Sequence, residues 1–421
     1  MRILLLSQFY PPIIGGEERH VRSLAHGLVA RGHDVCVATL WRPDAPECDG
    51  AVRLRYVKGV AQRLSGLFTD PQRRHAPPFP DPELSLALKR VVDEEQPDVA
   101  HAHNWIVHSF LPVKLLTGLP LVLTMHDCGY ACPKKNAMRN DLSCDGPRLA
   151  TCVGCAADHY GYPKGLAVTL GVYAGARLQR RAVDAFIAVS AAVRNFNGFS
   201  ESDPACVVIP NFIPDDLERI DPCATPSDLL PKGDYILFVG DLNRQKGVHV
   251  LVDAYSWLED APPLVLVGRR CAETPKPLPR NTIVIESLPH EQVKQAWSRC
   301  LFGVVPSTCR DACPTVAMEA MAFGKALIGS DIGGIPSIIA HGDTGLLVPP
   351  GHREELASAM SMLIENSALR RRMGAAGVDA VRGLKTSAVI ERIEGVYRHV
   401  IAKAGAVPAM ARATLPQERG R

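Results

Sequence analysis

The feature that most constrains this chain is one grammar used twice: short continuous apolar runs, each followed by a loop and an amphipathic stretch. Ile3–Ser7, Val35–Leu40, Val99–Ala102, Leu119–Thr124 and Ala185–Val189 form the first series of runs. Runs that do not alternate with polar residues suit strands of a parallel sheet, which are buried on both faces. A helix is predicted from Glu17 to about Ala30, stopped by Gly32. Beyond Pro210 the chain is rich in Pro and Asp up to Lys232-Gly233 and reads as a linker. The pattern then restarts with a strand at Tyr235–Val239, a loop at Gly240–Gly247 and a helix at Val248–Leu258. Strands at Leu264–Val267, Thr282–Ile285, Phe302–Val305, Ala326–Gly329 and Gly345–Val348 follow. Two such arrays predict an α/β protein of two doubly wound Rossmann-like domains facing each other across a cleft, with ligands at the C-terminal ends of the strands. The boundaries read as 1–209 and 210–386, then a helical segment at 387–405 and a disordered tail at 406–421 without periodic apolar pattern.

Length agrees with two domains, since 421 residues exceed what one ordinary core organises. The net charge of +3 is too small for a nucleic-acid partner, and the arginines are spread along the chain without interleaved aromatics. No apolar run reaches the length of about 18 residues that spans a bilayer. The opening Met-Arg-Ile-Leu-Leu-Leu-Ser leads directly into Gln8 and a Pro- and Gly-rich loop, so it reads as a buried strand rather than a signal segment, and the expected location is cytoplasmic.

The densest local signal is Pro306-Ser307…Asp311…Pro314-Thr315…Glu319-Ala-Met-Ala-Phe-Gly324. Asp311 and Glu319 stand eight positions apart; Glu319 is read as opening a small-residue helix that ends at Gly324, and Gly-Gly-Ile-Pro follows at 333–336. An acid at a loop end and another on the next helix can face one cleft and accept hydrogen bonds from sugar hydroxyls. This run resembles the acid–seven residues–Glu signature of the retaining glycosyltransferases of family 4, which have the GT-B fold. That family usually has Glu where this chain has Asp311.

Other segments fit the same resemblance. In Phe9-Tyr10-Pro11-Pro12…Gly15-Gly16-Glu17, glycines between a strand and a helix let backbone approach a ligand, and the helix N-terminus offers free amides. A lone Gly-Gly pair is usually a tight turn. With the helix behind it and Arg-Gly-His-Asp-Val at 31–35, it resembles the family's opening and places Gly15 and Gly16 in the cleft. His126, beside Asp127, would alone read as half of a structural pair. The family carries a His at the end of this strand in contact with the donor sugar, and that role is carried to His126. Ser190 and Asn211 match family positions as helix-start or hinge elements, although the family commonly has Asn-Gly where this chain has Asn211-Phe212; Asn211 is placed on the donor side.

In the loop from Gly240 to Gly247, a cation facing the leaving diphosphate stabilises charge that grows in the transition state. Lys246, next to Gly247 and the helix, fits that task. The family adds an Arg directly after the first Gly, where this chain has Asp241; Arg244 either restores that charge or is a solvated loop cation. By resemblance Glu319 binds the nucleotide ribose. Asp311 and the amides near Pro314, Thr315 and Val316 hold the sugar and diphosphate.

Nothing reads Asp-x-Asp, the usual metal holder on a diphosphate. The resemblance accordingly implies metal-independent transfer on one face of the sugar, with no catalytic cofactor. It implies a UDP-, GDP- or ADP-linked sugar donor and a sugar, lipid-linked or small-molecule acceptor. The mixed apolar and basic stretch Lys164–Arg181 is compatible with peripheral contact at the inner face of a membrane, and equally with a buried interdomain helix. Two other classes fit the same pattern: a GT-B epimerase or phosphorylase-like enzyme, and a non-catalytic subunit that binds sugar nucleotides. Lys246 and Glu319 speak against the second of these, Asp241 and Asp311 for it.

The chain has 13 cysteines, and Cys128, Cys132, Cys144, Cys152 and Cys155 fall within an insertion after His126, at 128–155. Cys132, Cys144, Cys152 and Cys155 have spacings that a structural zinc site can use. The rival readings are disulfides, disfavoured in a reducing compartment, and buried thiols.

Overall fold

The computed structural model describes residues 1–13, 15–43, 46–64, 73–140, 142–221, 227–286 and 288–406. In chain order the strands are β1 (Arg2–Ser7), β2 (Asp34–Leu40), β3 (Cys48–Asp49), β4 (Val52–Val57), β5 (Val99–His103), β6 (Leu121–Met125), β7 (Met138–Arg139), β8 (Leu142–Ser143), β9 (Ala185–Ala188) and β10 (Cys206–Val208). The second half contributes β11 (Ile236–Val239), β12 (Leu264–Val267), β13 (Thr282–Ile285), β14 (Phe302–Val305), β15 (Ala326–Ser330) and β16 (Gly345–Val348). One sheet has the order β10-β9-β6-β5-β1-β2-β4-β3, the other β13-β12-β11-β14-β15-β16, and β7 and β8 form a separate hairpin. All pairings in the two large sheets are parallel except β3 with β4. The strand order reverses at β1/β5 in the first sheet and at β11/β14 in the second. Such switch points open a crevice at the carboxyl ends of the strands, which is where a doubly wound sheet holds a ligand.

Besides the two-residue β3, β7 and β8, two strands lie outside the sequence expectation. The segment Val52–Val57 reads Val-Arg-Leu-Arg-Tyr-Val and alternates because it lies near the sheet edge, with only Val52, Leu54 and Val57 buried. Its outward arginines pair instead: Arg53 with Asp34 and Glu95, and Arg55 with Glu95. The three-residue β10 is the opposite edge and is too short for a periodic signal.

The chain ends by returning to its beginning. The helix Thr386–Gly405 buries Val389, Ile390, Ile393, Tyr397 and Val400 in the cluster that holds Ile3, Leu5, Leu24 and Val37. Tyr397 Oη lies 2.7 Å from His101 Nδ1, and the buried Glu394 carboxylate accepts from Arg31 Nε at 2.6 Å and lies 2.8 Å from His33 Nε2. This last helix therefore completes the core of the first domain after the second domain has been built. The tail expected at 406–421 lies, apart from Ala406, outside the described residues.

Lys164–Arg181 falls in the helix Tyr162–Ala182, which buries Val168, Val172 and Gly175 and leaves Leu170 and Leu178 exposed. It is a helix of the first domain, packed on Leu149–Tyr160, rather than one buried between domains. Among the described residues no helix is long and apolar enough to cross a membrane.

Candidate active site

The crevices of the two sheets meet in a cavity of about 220 Å³. The first domain contributes Gly16, Glu17 and His126, and Asn211 lies just past its boundary; the second contributes Gly240, Lys246, Ser307, Asp311 and the segment Cys313–Val316. Most of the expected donor residues are thus brought together from opposite halves of the chain.

The centre of the second-domain wall is an ion pair. Lys246 Nζ lies 2.6 Å from Asp311 Oδ2, and Ser307 Oγ donates to the same oxygen at 3.2 Å. Burial alone pulls the Lys246 ammonium down, but the Asp311 carboxylate beside it outweighs burial and holds its pKa above the ordinary lysine value. The lysine is charged throughout the neutral range and held in place by the acid.

Two glycines permit this arrangement. Gly247 has φ +71°, and a Cβ there would stand 1.7 Å from the Pro306 carbonyl oxygen, so only glycine lets the lysine loop lie against the loop after β14. Gly333 has φ +63°, with its missing Cβ 2.4 Å from the Asp311 carbonyl oxygen, and the Gly334 amide donates to that oxygen at 2.7 Å. The Gly-Gly-Ile-Pro run is therefore a backing for the Asp311 loop.

The helix Thr315–Ala322 starts at the cavity with Pro314 as its N-cap, which aims its first-turn amides at the space a diphosphate would need. Glu319 does not open this helix; it lies in the middle, one turn beyond Thr315. Its buried carboxylate accepts from Trp297 Nε1 at 3.3 Å and stands 3.7 Å from His290 Nε2, so it sits beside the described cavity instead of lining it.

Arg244 is exposed and does not line the cavity, while Gly240 does. Asp241, in the place of the family's Arg, is paired with Arg269 at 3.2 Å. Of the two readings of Arg244, its position off this wall favours the loop cation. Gly15 is the extended N-cap of the helix Gly16–Ala30, and it is Gly16 that lines the cavity.

On the first-domain wall, His126 follows β6 directly. It shares a 2.8 Å hydrogen bond with His103, the last residue of β5, and its ring packs 4.7 Å from that of His20. Burial pushes His126 and His103 well below the usual histidine range. Glu17 is a further cavity residue that sequence reasoning quoted without assigning a role. Burial raises its carboxyl to about 8, with Lys135 opposing, and Asn104 donates to its Oε2. Its position in the first turn after Gly16 was the available signal.

Asn211 ties the walls together, its Nδ2 donating to the Cys313 carbonyl at 2.9 Å and its backbone N–H facing Cys313 Sγ at 3.4 Å. Ser190 caps the helix Ala191–Phe196 through the Val193 amide.

The insertion departs from the expected zinc site. Among the described residues no three of Cys132, Cys144, Cys152 and Cys155 bring their sulfurs within 4.8 Å of one another. Each sulfur has a different neighbour. Cys144 Sγ donates to the Gly146 carbonyl at 3.4 Å, Cys155 Sγ faces the Met138 carbonyl at 3.8 Å, and Cys152 Sγ accepts from Tyr173 Oη at 3.5 Å. Burial raises the Cys132 thiol, against three backbone amides at Ala137, Lys134 and Lys135. The described cysteines are free thiols. The insertion instead reaches the second domain, where Arg310, next to Asp311, donates to Ser143 Oγ at 2.9 Å.

Residues 14–217 match the family model described as Glycosyltransferase Family 4, and residues 226–379 match Glycosyl transferases group 1. The chain is 27% identical over 438 residues to the alpha-maltose-1-phosphate synthase of Mycobacterium tuberculosis, covering 96% of this chain and 100% of that protein. The fold is shared with sucrose-phosphate synthase from Thermosynechococcus elongatus, at a TM-score of 0.71 and 21% identity over 96% of this chain and 99% of that one. It is shared also with Anabaena HepE in complex with UDP-glucose, at 0.67 and 18% over 95% and 100%. With its two halves matched by these two models and its sheets in the arrangement just described, the chain is a glycosyltransferase of the GT-B fold and belongs to family 4.

Proposed function

We propose that this enzyme transfers a hexose from a nucleoside diphosphate sugar to a hydroxyl acceptor with retention of anomeric configuration, without a metal. The observation that carries this reading is the single cavity in which His126 faces the Lys246–Asp311 pair and the N-terminus of Thr315–Ala322. The sugar lies toward His126 and Asp311, and the diphosphate toward Lys246 and the amides of Thr315 and Val316. As the anomeric bond breaks, negative charge grows on the leaving phosphate, where a fixed cation and fixed dipoles stabilise it more than the ground state. The acceptor attacks from the face the phosphate leaves, and the phosphate oxygen takes the acceptor's proton, so Asp311 positions rather than abstracts. Glu319, one turn along the helix, holds the ribose.

The neighbour solved with UDP-glucose supports a uridine donor as the first to test. Relatives named for making maltose 1-phosphate and sucrose phosphate support a sugar or sugar phosphate acceptor. Exposed Leu170 and Leu178, with Arg177 and Arg181 on the same helix, support transient contact with a membrane surface on the cytoplasmic side.

The test is a donor screen with UDP-, GDP- and ADP-glucose against sugar and sugar phosphate acceptors, the product anomer being read by NMR. Stoichiometric release of nucleotide with an α-linked product, undiminished by a chelator, is expected. An inverted product, or activity abolished by chelation and restored by magnesium, would overturn the mechanism.

A further inference from the structure

We propose that His20, His103 and His126 form a binding site for a divalent transition-metal ion such as Zn²⁺, and that an ion there shuts the sugar end of the cleft. The three residues come from different elements: one turn into the helix Gly16–Ala30, the end of β5, and the residue after β6. One ring nitrogen of each lies within 4.8 Å of the other two.

Other buried histidines of this domain have at least one nitrogen on a hydrogen-bond partner: His108 Nε2 meets Gln179 Nε2 at 3.2 Å and its Nδ1 is unpaired among the described residues. His101, on the same strand as His103, meets Tyr397 Oη and Thr124 Oγ1, each at 2.7 Å. In the trio, His20 Nδ1 finds no hydrogen-bond partner among the described protein groups although His20 is 7% exposed, and His103 Nδ1 and His126 Nε2 have each other at 2.8 Å, with His103 Nε2 unpaired and able to take a displaced proton. Lone pairs that are both buried and unpaired are what a cation can use.

The chemistry of the donors narrows the ion. Three imidazoles suit zinc, copper, nickel or cobalt, whereas magnesium and calcium prefer oxygen ligands. Zinc–nitrogen bonds of about 2.0–2.1 Å would set the nitrogens about 3.3 Å apart, which opens the 2.8 Å His103–His126 contact slightly and lies within the 4.8 Å span of the trio. The ion would displace the proton shared by His103 and His126, which moves to another nitrogen of the neutral rings. No proton need be released.

His126 lines the cavity, so an ion on it takes the position proposed above for contact with the donor sugar. This consequence rests on that reading of the cavity; binding of the ion does not. Bound Zn²⁺ should therefore compete with the nucleotide sugar and leave the affinity for the bare nucleotide diphosphate unchanged.

The experiment uses the full chain stripped with a chelator and titrated with Co²⁺, whose visible spectrum reports nitrogen coordination, followed by displacement with Zn²⁺. One ion per chain is expected, without the near-ultraviolet charge-transfer bands that a thiolate ligand from the cysteine insertion would add. His20→Ala and, at the cavity edge, His126→Ala should each weaken binding about tenfold or more, and circular dichroism shows which variants are folded. Zn²⁺ should raise the KM for the nucleotide sugar with little change in kcat, reversibly on chelation. Absence of a stoichiometric ion, or full binding retained when both histidines are replaced, would overturn the site. Binding of the ion without competition would overturn the closure and remove His126 from the sugar subsite, leaving the metal site in place.

Discussion

Lys246→Ala removes the cation from the Lys246–Asp311 pair and leaves Asp311, whose side chain is 11% exposed, with the Ser307 hydroxyl but no lysine beside it. The wild-type wall carries one positive and one negative charge, and the variant wall carries only the negative one. Two unit charges about 4 Å apart interact by roughly 4 kcal/mol at the effective dielectric of a partly buried site. Loss of a single preorganised stabiliser of a growing anion costs about 2.7–4 kcal/mol, or 10² to 10³ in turnover. The two estimates agree, so a fall of at least about a hundredfold in kcat is expected. Part of the loss comes from the orphaned acid rather than from the missing cation. Lys246→Ala combined with Asp311→Asn should therefore bind donor more tightly than Lys246→Ala alone, by about tenfold, or 1.4 kcal/mol. The assay is steady-state nucleotide release, with calorimetric titration of the donor and thermal melting to confirm folding. Turnover within about threefold of wild type in folded Lys246→Ala, set against that expected loss, would take the lysine out of the mechanism. Strictly additive effects in the double variant would show that the pair is not coupled through the donor.

Three further outcomes follow from the same geometry. Arg244→Ala should keep turnover within about twofold, the range of a surface change, because Arg244 is exposed and off the cavity wall; a loss like that of Lys246→Ala in the nucleotide-release assay would restore it to the site. Glu319→Gln should weaken binding of the bare nucleotide by about 1.5–3 kcal/mol, measured by calorimetry, and an unchanged affinity would confine Glu319 to its contacts with Trp297 and His290. Glu394 is held down to about 2, first by the Arg31 hydrogen bond and, against burial, by His33. A carboxylate lowered in the folded state stabilises above its unfolded pKa of about 4.3. That contribution is lost as pH falls from there toward about 2, so Glu394→Gln should flatten the acid limb of stability against pH in denaturant titrations. An acid limb identical to that of wild type would refute the role of Glu394 as the fastening of the last helix.

The second domain was readable almost strand for strand because β12, β14 and β16 are mostly buried parallel strands without polar interruption. The first domain was harder at its edges. Arg53 and Arg55 break the apolar run of β4, and their partners Asp34 and Glu95 are recognisable only once the fold brings them near. Spacing misled at the cysteines and left the role of Arg244 open. The cysteines of the insertion have intervals a metal site could use, yet local turns direct their sulfurs to separate partners. Arg244 is close in sequence to the missing family Arg, but the cation that meets Asp241 is Arg269, 28 residues further along.

The site itself depends on separations that no local pattern encodes. Lys246 and Asp311 are 65 residues apart and meet because Gly247 lets their two loops touch at Pro306. His20, His103 and His126 meet because β1, β5 and β6 end on one side of the first sheet while the helix after β1 starts there. Each wall is fixed by its own sheet, and the ties between the walls among the described residues include Asn211 to Cys313 and Arg310 to Ser143. A donor that contacts His126 on one wall and Lys246 on the other adds a bridge of its own. Its binding energy can therefore hold the cleft closed around the reacting bond, where water is excluded and the Lys246 charge acts at low dielectric.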